Sequence, residues 1–318
     1  MKKILFASTA LVATASVAAA ELTWSGSGRF GIVYSEGAAN ETVLDHRFRL
    51  TVNGVTETDG GVKFEGRIRW QADDDAADNG ANGTGGAGAA GFAVSTGGLR
   101  VDIGHVSDVF DSGDVISWGG NGVGYTGFLD QAANFTGFRK SGFGNGDRSG
   151  AGSDAQTVKA KYTVGDFTGS VSYQLDDSGV LGDDDSWQIG VGYSFGAHRI
   201  GAMYGDSGDA AIASDGSSLA GSQWAVGADG SFGDFGYTVL VGDNDNAADL
   251  MWGLSGSYAV SAAGTVTGFV SGGGAANADT SYGIGYSHSL GGGVSLAAGV
   301  GSNASGSTQA DAGVTFNF

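Results

Sequence analysis

The chain has 318 residues, of which 62 are Gly, none Pro and none Cys, and its formal net charge is −19. That acidic balance excludes a protein held on nucleic acid by phosphate contacts, and the missing Cys excludes disulfide scaffolds, thiolate metal sites and cysteine nucleophiles. The glycine follows no Gly-X-Y period, and 41% hydrophobic against 15% charged residues argues against disorder.

Met1-Lys2-Lys3, an apolar or small run from Ile4 to Val17, and Ala18-Ala19-Ala20 before Glu21 make the three parts of a secretory signal peptide. The expectation is a leader over residues 1–20 and an exported domain over 21–318. Loss of Lys2 and Lys3 would take the net charge from −19 to −21. No later stretch offers the roughly 18 apolar residues of a membrane helix, which leaves a soluble protein or a closed barrel.

The exported part alternates with a period of two. Phe48, Leu50 and Val52 are followed by Val62, Phe64, Ile68 and Trp70, and then by Val158, Ala160, Tyr162 and Val164. Trp187, Ile189, Val191, Tyr193 and Phe195 continue it, as do Phe235, Tyr237, Val239 and Val241, then Tyr282, Ile284, Tyr286 and Leu290. Val294, Leu296, Ala298 and Val300 precede a closing run of Ala310, Ala312, Val314, Phe316 and Phe318. Dyad alternation of this length belongs to strands and not to a 3.6-residue helix.

The links between these segments come in two sizes. Tight ones are expected near 55–60, 97–98, 165–166, 196–197, 233–234, 260–263 and 291–292. Longer polar ones are expected near 37–41, 73–88, 106–155, 177–184, 206–221, 243–247, 274–279 and 301–307. They alternate, which predicts sixteen antiparallel strands with both termini on the side of the short turns. Segments of 9–11 residues suit a tilted membrane strand. The predicted fold is therefore an all-β, 16-stranded antiparallel transmembrane β-barrel, with the apolar set facing lipid and the Arg, Lys, Asp, Gln, Ser, Thr and Gly set facing water. Trp24, Tyr34, Trp70, Trp187, Phe195, Phe235, Phe316 and Phe318 lie near segment ends, where aromatic girdles belong. The absence of proline suits strands that must donate every backbone hydrogen bond.

Several short runs together resemble the general diffusion porins of photosynthetic alphaproteobacteria, the Rhodobacter-type porins. They are Gly28-Arg29-Phe30-Gly31, Arg47-Phe48-Arg49-Leu50, Thr56-Glu57-Thr58-Asp59-Gly60-Gly61-Val62 and Phe110-Asp111-Ser112. Ala278-Asp279-Thr280-Ser281-Tyr282-Gly283-Ile284-Gly285 and the run from Ala310 to Phe318 complete the set. The likeness is densest over 21–125 and 278–318, while 126–155 and 206–222 depart from the pattern. It implies a homotrimeric porin of the Gram-negative outer membrane, with periplasmic termini and a third loop folded into the barrel. It also implies that Phe318 is the C-terminal aromatic by which such barrels are recognised for assembly.

Strand phase places Arg29, Arg47, Arg49, Lys63, Arg67, Arg69 and Arg100 in the polar set. Arg47/Arg49 and Arg67/Arg69 are i, i+2 pairs on consecutive strands, so they should form one patch on the lumen wall. If the long loop folds inward as the resemblance implies, Asp108, Asp111 and Asp114 are expected to face that patch across the narrowing. Opposed charge would then set a transverse field across the pore. Asp73, Asp74, Asp75, Asp78 and Asp183, Asp184, Asp185 read as exposed loop acids, which could bridge lipopolysaccharide through Ca²⁺. Asp243-Asn244-Asp245-Asn246 is a weaker calcium hint, lacking the Gly and closing Glu of an EF-hand loop. His46, His105, His198 and His288 show no metal spacing and no pairing with a nucleophile, so no enzyme and no resident cofactor are expected. The function expected is passive diffusion of small hydrophilic solutes and ions. The alternative is a secreted soluble β-rich binding protein or adhesin.

Overall fold

The computed structural model describes residues 20–73, 84–87, 90–119, 121–140, 156–175, 185–208 and 219–318. Residues 1–19 of the expected leader, 1–20, lie outside them. The strands in chain order are β1 (Glu21–Ser35), β2 (Thr42–Glu57), β3 (Lys63–Asp73), β4 (Thr84–Ala87), β5 (Gly91–Thr96) and β6 (Leu99–Gly104). After the long loop come β7 (Gln156–Val164), β8 (Phe167–Leu175), β9 (Ser186–Phe195), β10 (His198–Asp206), β11 (Ser222–Phe232) and β12 (Phe235–Asn244). The last five are β13 (Asp249–Ala259), β14 (Gly264–Gly274), β15 (Ser281–Gly291), β16 (Val294–Ser302) and β17 (Thr308–Asn317).

Apart from β4 and β5, every strand pairs antiparallel with its neighbours in the sequence, and β17 pairs back with β1. β4 and β5 both pair with β3 and share one place in the circuit, so the closed barrel counts sixteen strands. The seam is held to its last residue. The Gly26 N–H donates to the Phe318 carbonyl at 2.8 Å and the Phe318 N–H donates to the Gly26 carbonyl at 3.0 Å. The Phe318 ring lies over Gly26 and stacks on Phe48 with centroids 5.6 Å apart. A side chain at Gly26 would occupy the space of that ring.

The two classes of link fall where the punctuation places them. Gly165, Gly196 and Gly233 open two-residue turns with φ of +57°, +62° and +60°, the left-handed geometry of a hairpin turn that matches strand twist. The first short turn lies at 58–62, later than expected, because Val55, Thr56 and Glu57 still pair with Glu65, Phe64 and Lys63.

The apolar set faces outward. Trp24, Phe30, Leu44, Trp187, Val191 and Phe318 are among many large apolar side chains more than 40% exposed. The alternating polar set faces inward, with Thr157, Ser170, Ser172, Gln174 and Gln188 all buried. A soluble sandwich would show the reverse. The apolar core that does exist is formed by the long loop inside the barrel: Val109, Phe110, Val115, Ile116, Trp118 and Phe138 pack on Met203, Ala225, Leu240 and Met251 of β10–β13.

Candidate functional site

The long loop after β6 runs around the inner wall and returns. Its outbound arm meets β8 and β9, where the Val109 N–H donates to Ser172 Oγ at 3.2 Å and the Phe110 N–H to Gln188 Oε1 at 3.0 Å. Farther along, the Ser117 N–H donates to Asp229 of β11 at 3.3 Å and Asn121 to Ser255 of β13 at 3.3 Å. The return arm is tied at Asn134, whose N–H donates to Ser271 Oγ and whose amide donates to the Gly273 and Asp279 carbonyls. Arg139 then reaches Gln174 at 3.0 Å, and its N–H donates to Gln223 at 2.7 Å.

Part of the wall beneath this path carries glycine in place of a side chain. A Cβ at Gly253 would overlap the Gln131 carbonyl oxygen, and one at Gly299 would lie 2.5 Å from the Gly124 nitrogen. Glycine at these inward positions lets a second layer of backbone lie against the sheet. The high glycine content thus has a site-building use as well as a turn-building one.

The loop tip is fixed by two wall carboxylates. Asp311 of β17 accepts the Tyr125 N–H at 3.1 Å, the Thr126 N–H at 2.9 Å and the Thr126 hydroxyl at 2.6 Å. Asp45 of β2 accepts the Tyr125 hydroxyl at 3.0 Å and pairs with Arg29 at 3.0 Å. Burial, and then the Asp45 carboxylate, push the Tyr125 phenol well above its ordinary range. It remains a hydrogen-bond donor at any physiological pH.

The cationic wall lies on β1–β3 and β6, at the level of this tip. Arg29 and Arg47 face each other across β1 and β2, with Asp45 one inward position from Arg47. Arg49 donates to Gln71 of β3 at 2.7 Å, and Arg69 lies within electrostatic reach of Arg67 and Arg47. Arg47, Arg49, Arg67 and Arg69 thus lie on adjoining strands, with Arg29 opposite Arg47. Arg100 stands beside it, bound to Glu65 at 2.7 Å and Asp102 at 2.9 Å, with Lys63 within 3.6 Å of Glu65.

The three loop acids are distributed differently from the expectation. Asp108 is 1% exposed and spent inside the loop: it accepts from Gln188 at 2.9 Å and from the Asp111 N–H at 2.9 Å. Asp114 binds Lys159 and Lys161 of β7, both at 2.7 Å. Its burial raises the carboxyl, but hydrogen bonds from Lys159 and Lys161 outweigh this and hold it below the ordinary range. Asp111 and Asp114 are both half-buried, but among the described bonds it is Asp108 and Asp114 whose carboxylates are tied to wall residues. The physical reason is local: an Asx-type turn at Asp108 fixes the direction of that side chain, which no strand phase governs. Lys159 and Lys161 join the wall cations through their alternation with Val158, Ala160 and Tyr162, a signal already present in the sequence.

Asp130, on the return arm, is pushed up by burial against the Ala132 N–H bond at 2.7 Å and the pull of Lys140. Among the described residues no group of three His, Asp or Glu is placed to hold a metal ion. Asp74, Asp75, Asp78, Asp183 and Asp184 lie outside the described residues, as does the side chain of Asp73. Asp245 is used within the loops, accepting from the Ser222 N–H at 2.7 Å.

The fold has counterparts. A family described as Gram-negative porin matches residues 7–308. A porin from Fuscovulum blasticum is 31% identical over 306 residues, covering 94% of this chain and 100% of the relative. Among solved structures, a variant of Rh. blastica porin with three substitutions aligns at TM-score 0.77 and 29% identity, covering 94% of this chain and 100% of that one. Another with five substitutions aligns with the same TM-score, identity and coverage.

Proposed function

The chain belongs to the Gram-negative porin family, and from that premise we propose how its pore sorts what passes. As a porin it is a transmembrane β-barrel of the outer membrane, a passive channel for small solutes and ions and not an enzyme. The finer reading concerns the narrowing. The described part of the third loop lies against the inner wall from β8 round to β17, its tip reaching over to Asp45 of β2, so solutes pass between the loop and the arginine wall of β1–β3. That placement is the observation that carries the reading.

Arg47, Arg49, Arg67 and Arg69 form the cationic side of the constriction, flanked by Arg29 and Arg100. On the loop side, Asp111 supplies lumen charge, Asp114 anchors the loop to β7, and Asp108 holds its turn. A polar solute keeps hydrogen-bonding partners through such a passage, while an apolar one must displace bound water. The protein works as a homotrimer, with the short turns and both termini in the periplasm and the long loops towards lipopolysaccharide. The trimer reading rests on family likeness. The termini reading is supported by Glu21 and Phe318 both lying at the short-turn end of the barrel.

Planar-bilayer recording tests both parts. Conductance steps are expected in groups of three, with a reversal potential in a salt gradient that moves when the wall arginines are neutralised. Single, independent steps would remove the trimer, and an unmoved reversal potential would remove the constriction assignment.

A further inference from the structure

Where β2, β3, β5 and β6 meet the root of the third loop, the lumen wall is hollowed. Asn53, Glu65, Arg67, Arg100 and Asp102 line a niche of about 250 Å³, with Val106 of the loop root at its edge. Asn53 and Arg67 are directly opposite across β2 and β3, so their side chains leave the sheet together. Arg67 lies within electrostatic reach of Arg100, Asp102 and Glu65. Two guanidiniums and two carboxylates share the niche, and their formal charges cancel.

That arrangement discriminates by charge pattern and not by net charge. A simple anion gains from the guanidiniums and loses to the carboxylates, and a simple cation does the opposite. A solute carrying both charges a few ångströms apart gains from both. We propose that this niche is a resting site for small zwitterions of the α-amino acid class. The solute's carboxylate lies on the Arg67 fork and the Asn53 amide, and its ammonium lies towards Glu65 and Asp102. Arg67 has five N–H donors in a planar fork, so it can keep a protein partner and still present a pair to a carboxylate. Glu65 and Asp102 each bind Arg100 through one oxygen, and the other oxygen faces a lysine beyond hydrogen-bond length, Lys63 at 3.6 Å and Lys159 at 4.0 Å, so acceptor capacity remains on both. Such a site helps passage only if it is weak enough to release. The proposal deepens the channel reading and rests on it.

The test is single-channel current through the full protein in planar bilayers, with L-glutamine added on one side. Expected is a saturable reduction of current by glutamine. Erythritol, propionate and propylammonium at equal concentration should need at least tenfold more for the same effect. Arg67→Gln and Glu65→Gln should each raise the half-saturating glutamine concentration at least tenfold, and Asn53→Ala should do so by a smaller factor. Asn53→Ala also serves where a charge-removing variant does not assemble. Equal, non-saturating reduction by glutamine and erythritol would overturn the proposal. So would saturation by propionate at the glutamine concentration, which marks a plain anion site, or unchanged half-saturation in the variants. Absence of any conductance would remove the channel reading itself and the proposal with it.

Discussion

The Tyr125 hydroxyl donates to Asp45 at 3.0 Å, bridging 80 residues of sequence and joining the loop tip to the same carboxylate that pairs with Arg29. One side chain thereby fixes both the position of the loop and the orientation of the first wall arginine. Truncating it should affect current noise before it affects folding. Tyr125→Phe removes one hydrogen bond to a charged acceptor, a loss of about 1.5–3 kcal/mol in loop seating. Open-channel noise is expected to rise with mean conductance nearly kept. A quiet, unaltered trace would show that Asp311 alone holds the tip.

The second wall carboxylate is tested by Asp311→Asn. The amide oxygen can still accept at one position, but the NH₂ group then faces either the Tyr125 N–H or the Thr126 N–H, leaving that donor unmet at about 1–3 kcal/mol. The double variant with Tyr125→Phe should free the tip and enlarge the size cut-off in liposome swelling. Additive single effects would show that the two anchors are independent; a larger joint effect would show one latch.

The glycine lane under the loop predicts an overpacking effect. Gly253→Ala places a methyl group against the Gln131 carbonyl, and Gly299→Ala places one against Gly124. Each should cost about 1–3 kcal/mol of loop seating while leaving strand pairing intact. The measured sign is a larger conductance with an unchanged far-ultraviolet β signal. Alanine at outward Gly169, where nothing lies within 4 Å, is the control that should change neither.

Replacing Arg47, Arg49, Arg67 and Arg69 with Ala should raise the size cut-off and shift ion preference towards cations. Reversal potential under a salt gradient reads the shift, and it should shrink as ionic strength rises because exposed charge is screened over about 10 Å at 0.1 M. The same substitutions leave the Lys159–Asp114–Lys161 clamp in place, so loop noise should stay at its original level.

Acid should act on the loop in two steps of opposite sign. Asp130 has a raised carboxyl pKa because burial penalises its charge, so it takes up a proton first and the loop gains stability as pH falls through that value. Asp114 has a lowered one, so the stability it contributes is complete above the ordinary value near pH ~3.9 and is lost only below it. Current noise should therefore fall or hold between neutrality and about pH 4, then climb. Asp130→Asn should erase the first step and leave the second.

The barrel was legible in the sequence because lipid and water impose a period of two on every strand, and the two link sizes mark the ends. Arg47/Arg49 and Arg67/Arg69 were legible for the same reason. Lys159, Lys161, Asp45 and Asp311 sit in the same inward phase, yet their use depends on where the loop lies. Met203, Leu240 and Met251 are apolar residues in that wet phase. They mark the seat of the loop, but only once the loop is known to turn inward. The directions of Asp108 and Asp114 have no sequence period behind them, since a turn and two distant lysines decide them.

Asp311 stands on the last strand, 186 residues from Tyr125 and closer to the end of the chain than any other anchor of the loop. Without that strand in the sheet the tip lacks the three bonds that Asp311 accepts and keeps only the Tyr125 bond to Asp45. The strand that closes the cylinder also carries the carboxylate that seats the loop, so sealing the wall and setting the bore share one element.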